Sequence, residues 1–323
     1  MKPLFFLLLA VSASAAVHEA DVCVFGGTSG GVSAAVQIAR MGKTVVLAEP
    51  GRHLGGMTSG GLSAVDIGDP RSVGGIAREY FTRLVAAYGK QLAWDQPFKH
   101  TGGPATGGAY AIEPHQAERV FEEMVKEAGV KVLREARLAS VTNPFSRITE
   151  LVLENGDIIH AKVFIDTTYE GDLMAKAGVS FTLMREGNAK YGEKLNGIQY
   201  DERFRPRSEF AQPGSNGRLE NGLGVWDRDF PLDPYVVLGC KDSGVLPLVE
   251  LDEVGKPGDP APGVQAYCYR LCLTTNPANR LPITPPADYD PKTFEIVARF
   301  IEACLQNGDD MDLRWFSKHD PLP

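Results

Sequence analysis

Cysteine is scarce in this chain and badly spaced for metal or disulfide chemistry. Its 323 residues include five cysteines, Cys23, Cys240, Cys268, Cys272 and Cys304, and no CxxC. An iron–sulfur cluster or zinc ion therefore finds no ligand set, and an odd count at wide spacings is no disulfide framework. Cys268 and Cys272 fall on a strand-like stretch, AYCYRLCLT. Four extended residues put their Cα atoms about 13 Å apart, beyond bridging reach. The cysteines are expected to be core thiols. Excess positive charge is also missing: the net charge is −8, with the two signs interspersed. That excludes a protein that tracks nucleic-acid phosphates with a concentrated basic face. There are no internal repeats and no low-complexity tracts.

What is present is ordinary globular composition, 43% hydrophobic and 23% charged. The length suits about two domains. Residues 1–16 read as an export leader: Lys2 is a short positive region, Leu4 to Val11 is apolar, and Ala13-Ser14-Ala15-Ala16 supplies small residues for cleavage. The apolar run is too short to span a bilayer. No arginine pair precedes it, so the chain is expected to leave the cytoplasm unfolded, to a periplasmic or extracellular place. No membrane span is expected once the leader is removed.

The next residues alternate in a recognisable order. ADVCVF is a short apolar run, GGTSGG follows at once, and VSAAVQIARMG places Val32, Ala35, Val36 and Ala39 on one helical face before Gly42. TVVLAE reads as a second buried strand closed by an acid. Strand, glycine turn, helix and strand within about thirty residues make a βαβ unit. Residues 51–62 are a glycine-rich loop, 73–89 read as helix, and Pro114 to Ala128 forms an amphipathic helix. Short strands are expected around Val130–Leu133 and Leu138–Val141. Ile148–Glu154 and Ile158–Val163 read as a hairpin across Asn155-Gly156-Asp157, with a type I′ turn. VFIDTTYEGD returns a parallel-type strand into a small-residue turn. The domains are thus 17–180, with a loop-rich insertion at 57–112, and 181–323, a region of strands and long loops closed by a helix over Pro291 to Gln306.

Three clusters carry chemistry. Helix N-termini present unpaired N–H groups to anions, and a diphosphate can approach the turn before Val32 because Gly26, Gly30 and Gly31 lack side chains. Aligned as GxGxxG, Thr28 takes the middle glycine's place. Glu49 closes the second strand, where a carboxylate accepts hydrogen bonds from ribose hydroxyls and repels a 2′-phosphate. Arg52, Gly55, Gly56 and Met57 follow, a loop suited to pass over a diphosphate and flavin, with Arg52 available to phosphate or ribitol oxygens. The third cluster is Ile165 to Asp172, where Asp172 reads equally as a cap of the next helix.

The blocks GGTSGGVSAA, EPGRHLGGMTSGGL, VGGIAREYF, IEPHQAERVF, FIDTTYEGDL and YCYRLCLTTNPANRLP resemble the FAD-dependent oxidoreductase family with a glutathione-reductase-like flavin fold, related to the flavin part of heterodisulfide reductase. The resemblance implies an α/β class with a Rossmann-like parallel sheet, an inserted β-hairpin and a second α+β domain. It implies FAD at Gly26, Thr28, Gly31, Glu49, Arg52, Gly55, Gly56 and Met57, and the glycine turn itself adds Ser29 and Gly30 as cofactor-binding candidates. It further implies the adenine against the backbone around Leu138, and the diphosphate near Thr167, Thr168 and Gly171. The family normally continues with a segment that completes the flavin site, so the chain is expected to be C-terminally incomplete. The cysteine pattern of cluster-bearing relatives is missing.

The function expected is oxidation of a small molecule by hydride transfer to flavin N5, with an unidentified electron acceptor. A base is needed for an alcohol or amine. His53, His100, His115 and Tyr269 are candidates, and Arg270 could hold an anion. No catalytic residue is assigned. The rival is an exported, non-catalytic binding or structural protein on a truncated flavin fold. Bound colour separates the two.

Overall fold

A computed structural model describes residues 15–62, 70–89, 91, 112–198, 232–249, 255–263 and 276–306. The described residues form two compact units, one up to Phe181 and one from Thr182 onward. His100, Tyr269, Arg270, Cys268, Cys272 and most of the leader lie outside them.

The first unit is built on a six-stranded mixed sheet in the order β3-β2-β1-β6-β5-β4. The strands are β1 (Val17–Phe25), β2 (Val45–Ala48), β3 (Lys131–Leu133), β4 (Leu138–Thr142), β5 (Glu150–Leu153) and β6 (Ile158–Asp166). The helices are α1 (Ser29–Arg40), α2 (Gly75–Ala86), α3 (Pro114–Glu127) and α4 (Asp172–Lys176). β1 runs parallel to β2 and β6, and β2 parallel to β3. β5 is antiparallel to both β4 and β6. β6 thus does two jobs: Ile158 to His160 closes the hairpin with β5, and its whole length pairs with β1. The sequence divides this strand in two because only Ile158 to His160 also pair with β5.

Alternation along the strands fills both faces, as the two-residue period requires. Val24, Val45 and Leu47 pack with Val32, Val36, Leu84, Val120, Phe121 and Met124 of α1, α2 and α3. Cys23, Phe25, Val46 and Ala48 point the other way, toward Ala136, Leu138, Leu151, Ile159 and Leu173. Each fully buried Val, Leu, Ile, Phe or Met side chain among them contributes roughly 1.5–3 kcal/mol of transfer energy. Burial pushes the Cys23 thiol up to about 12, so it is an inert core residue. Ion pairs link the three helices on their outer side: Arg40 donates to both Glu79 oxygens at 2.6 and 2.9 Å, and Arg83 reaches Glu79 and Glu127, each at 2.7 Å.

The hairpin turn differs from the expected type I′. Only Gly156 has positive φ (+90°) there; Asn155 does not. Gly156 N donates to Leu153 O and Leu153 N to Asp157 O. This is a three-residue loop, a type I turn followed by a left-handed glycine bulge. The Asn155 side chain explains the choice, because it accepts from Asp157 N at 3.0 Å and fixes a local turn of its own.

A charged row crosses β1, β6 and β5. His160 Nδ1 lies 2.6 Å from Glu19 and Nε2 lies 3.0 Å from Glu150, so only the imidazolium can donate on both sides. Glu19 and then Glu150 hold the His160 pKa above its usual value, and His160 first, then Thr142, hold the Glu150 pKa below its own. A raised histidine contributes fully below about pH 6.5 and loses that contribution as pH rises through its folded value. The depressed Glu150 loses its contribution at the acid end. The stability difference between wild type and H160N is therefore expected to be largest at mildly acidic pH and to shrink toward pH 9. Urea midpoints across pH 5–9 check this, and a pH-independent difference contradicts it.

In the second unit, β7 (Tyr235–Val237) and β8 (Cys240–Val245) form an antiparallel hairpin. Residues 291–294 make a single helical turn leading into α5 (Glu295–Gln306). Arg299 of α5 donates to the carbonyls of Asp233 and Tyr235, each at 2.8 Å, which ties helix to hairpin. Cys304 is buried and Cys240 exposed.

Candidate functional site

The carboxyl ends of β1, β2 and β6 meet at one point, the place where α/β sheets bind ligands. There β1 runs into Gly26, β2 into Glu49, and β6 into Thr167. Three turns interlock around the start of α1.

The glycines act mainly by letting backbone meet backbone. Gly26 sits at φ +105°, and a Cβ on it would fall 2.8 Å from both Thr167 C and Thr168 N. A Cβ on Gly31 would lie 1.9 Å from Gly26 O and 2.7 Å from Thr167 Oγ1. Thr28, in the middle-glycine position, is the N-cap of α1: its hydroxyl accepts from Gly31 N at 3.2 Å and donates to Thr167 O at 2.9 Å. A glycine could do neither, which gives the departure at Thr28 a structural reason. Thr167 completes the lock by donating to Gly26 O at 2.6 Å. Ser29 opens the helix, half-buried. Gly30 is exposed, and nothing would lie closer to its Cβ than Thr28 Oγ1 at 3.7 Å. An anion approaching the first-turn N–H groups of α1 therefore meets no side chain from Gly30.

Glu49 is half-buried, and both oxygens are engaged: Oε2 accepts from Gly27 N at 2.5 Å and Oε1 from Gly51 N at 2.6 Å. Each carboxylate oxygen has a second lone pair, so the group can still accept from two ribose hydroxyls. Gly27 belongs to the site although the GxGxxG spacing assigns it no role. A Cβ there would lie 2.8 Å from Glu49 Oε2, so the glycine makes the short contact feasible. The adjacent pair Gly26-Gly27 is its signal in the sequence.

The loop after β2 joins the same cluster through its glycines. Gly55 N donates to Gly27 O at 2.7 Å, and Gly55, at φ +102°, is packed against Ser59 and Phe121. Gly56 has φ +54°, and a Cβ on it would lie 2.2 Å from Tyr169 OH. The Tyr169 hydroxyl accepts from Met57 N at 2.7 Å and so bridges the second and third turns. In the sequence Tyr169 is one letter of FIDTTYEGDL with no role of its own; the structure singles it out. Removing its hydroxyl in Y169F is expected to lower hydrogen-exchange protection at Met57, with stability changing by less than about 1 kcal/mol because water can replace the partner. Unchanged protection at Met57 would contradict that bridge.

The remaining expected residues have structural partners of their own. Arg52 donates from Nε to Glu135 at 2.9 Å, with both side chains mostly exposed. Leu138 buries its side chain in the second core cluster, leaving only backbone available. Thr168 and Asp166 together serve the start of α4: Thr168 Oγ1 accepts from Gly171 N and Asp172 N, and Asp166 Oδ2 accepts from Met174 N at 2.8 Å. Asp172 is thus capped rather than capping, since it already stands inside the first turn. His53 is largely exposed, its Nδ1 3.0 Å from both oxygens of Glu118, which also accepts from Leu54 N. His115 lies in the first turn of α3. Among the described residues no group of three or more His, Cys, Asp or Glu could hold a metal ion.

The residues fit a dinucleotide: a helix mouth with Gly30 exposed for the diphosphate, an oriented carboxylate for a ribose, and glycine backbone on the flanking loop. The sequence profile of the FAD dependent oxidoreductase family matches residues 21–321. No curated protein matches the chain. Among solved structures the chain is similar to L-proline dehydrogenase from P. horikoshii (16% identity, 53% of this chain and 59% of that one, TM-score 0.37). It is also similar to a geranylgeranyl bacteriochlorophyll reductase-like protein from Thermoplasma acidophilum (16%, 53% and 45%, TM-score 0.38). L-amino acid deaminase from Proteus vulgaris is a third (16%, 53% and 53%, TM-score 0.36). The alignments span less than two thirds of each of these proteins.

Proposed function

This chain belongs to the FAD dependent oxidoreductase family, and from that premise we propose that it is a flavoenzyme that oxidises a small molecule. Bound FAD would supply the redox chemistry by taking a hydride at flavin N5, and an unidentified acceptor would take the electrons on. The observation that carries the reading is the joint placement of exposed Gly30 at the helix mouth and Glu49 at the end of β2.

The chain's own contribution is binding and orientation. First-turn amides of α1 and the helix dipole attract the diphosphate. Glu49, pinned by Gly27 and Gly51, presents a fixed acceptor to the adenosine ribose and repels a 2′-phosphate. Gly55 and Gly56 let the loop after β2 approach closely, and Tyr169 steadies that loop through Met57.

The same proposal places the protein outside the cytoplasm, supported by the leader-like composition of residues 1–16. No helix among the described residues is long and apolar enough to cross a membrane.

Anaerobic addition of alcohols, amines and their carboxylated analogues to the FAD-loaded protein tests the activity. One class is expected to bleach the visible flavin band, and air or an artificial acceptor to restore it. A loaded protein that no class bleaches, and that free dithionite does bleach, would refute the oxidation of such substrates.

A further inference from the structure

The geometry points to cleavage of the leader between Ala15 and Ala16, with the new ammonium group of Ala16 clamped by Asp157 at the hairpin turn. This rests on the export reading above and is independent of the flavin. The leader read from the sequence, residues 1–16, puts the cut after Ala16, and the small residues two apart at Ala13 and Ala15 allow a cut one residue earlier as well.

The structure separates them. Ala16 N lies 2.8 Å from Asp157 Oδ1, and Ala16 O accepts from Ile158 N at 2.8 Å. Val17 then begins β1 in register with Ile158. Ala16 is thus the residue that anchors the first strand of the sheet to the β5–β6 turn. A cut after Ala16 removes both bonds. A cut after Ala15 keeps both and turns a one-donor amide into a charged group with three donors.

The receiving carboxylate is prepared for that charge. Its second oxygen faces His18 Nε2 at 3.4 Å and Asn155 Nδ2 at 3.1 Å. The Ala16 amide, more than any other neighbour, already holds the Asp157 pKa below the usual range. A full positive charge at the same atom strengthens the contact, since hydrogen bonds between ionised partners are roughly twice as strong as neutral ones. Ala15 and Ala16 are both exposed. The chemistry is hydrolysis by a signal peptidase: water adds across the Ala15–Ala16 bond, leaving a carboxylate on Ala15 and the amine on Ala16.

The full chain, expressed with its leader in a secreting host, is fractionated, and the recovered protein is read by intact mass and N-terminal sequencing. A chain beginning at Ala16 is expected. A start at Val17 overturns the inference while leaving export intact. Uncut chain confined to the cytoplasm overturns both. A second readout addresses the clamp itself. Labelling of the α-amine near neutral pH is expected to be at least about threefold slower in the processed wild type than in D157N, because a paired ammonium gives up its proton less readily. Equal rates would overturn the clamp even if the cut is where it is expected.

Discussion

G31A is expected to leave no detectable bound FAD and to lower stability by about 3 kcal/mol or more. The new Cβ would stand 1.9 Å from Gly26 O, an overlap with backbone that no side-chain rotation relieves. Either α1 moves off β1 or the Gly26 turn opens, and each displaces the helix mouth. G30A is the control. Its Cβ would meet nothing closer than 3.7 Å, an ordinary contact, and alanine is the better helix former by up to about 1 kcal/mol. It is expected to fold as the wild type does, and since its methyl group stands at the helix mouth it is a control for stability alone. Urea denaturation and flavin titration of the two variants check the contrast; a G31A protein of wild-type stability would contradict the packing described for this turn.

E49A is expected to weaken FAD binding by about 100-fold, which corresponds to about 2.7 kcal/mol. Two effects combine. The ribose loses its acceptor, and the amides of Gly27 and Gly51 lose a charged partner held at 2.5 and 2.6 Å. Hydrogen bonds to charged groups contribute about 1.5–3 kcal/mol each, so the glycine turn also loosens. E49Q keeps one oxygen and is expected to fall between the two. The contacts assigned to Glu49 belong to the adenosine half of the cofactor, so affinity for FMN, measured in parallel by fluorescence quenching, should change far less. Equal losses for FAD and FMN would place the effect in the fold alone.

The first βαβ unit is legible in the sequence because its signals are local. Val32, Ala35 and Val36 lie on one helical period, Gly42 ends α1 at φ +74°, and Glu49 stands at the end of β2. The class of the fold follows from that unit and from the resemblance. Less legible is anything that depends on two distant segments touching. Gly27 matters because Glu49 comes to it, and Tyr169 because Met57 does, across 112 positions of chain. A sequence period carries no trace of either. The turn at Asn155 departs from expectation for a subtler reason. The Asn-Gly pair favours two turn types, and the choice falls to the Asn155 side chain binding Asp157 N. Asp172 reads as a cap in the sequence because acids favour that role, yet Thr168 accepts from the Gly171 and Asp172 amides and Asp166 from the Met174 amide at the start of that helix. Arg52 illustrates the converse, a plausible phosphate ligand that in the folded chain has Glu135 as its partner.

The most direct measurement is flavin retention. Protein lacking residues 1–15 is incubated with FAD, freed of unbound cofactor by gel filtration, and read for visible absorbance and for flavin released on denaturation. One FAD per chain, held by the wild type and lost from G31A, is the predicted result. Well-folded wild-type protein that emerges colourless would contradict the claim that the mouth of α1 and the Glu49 carboxylate form a dinucleotide site.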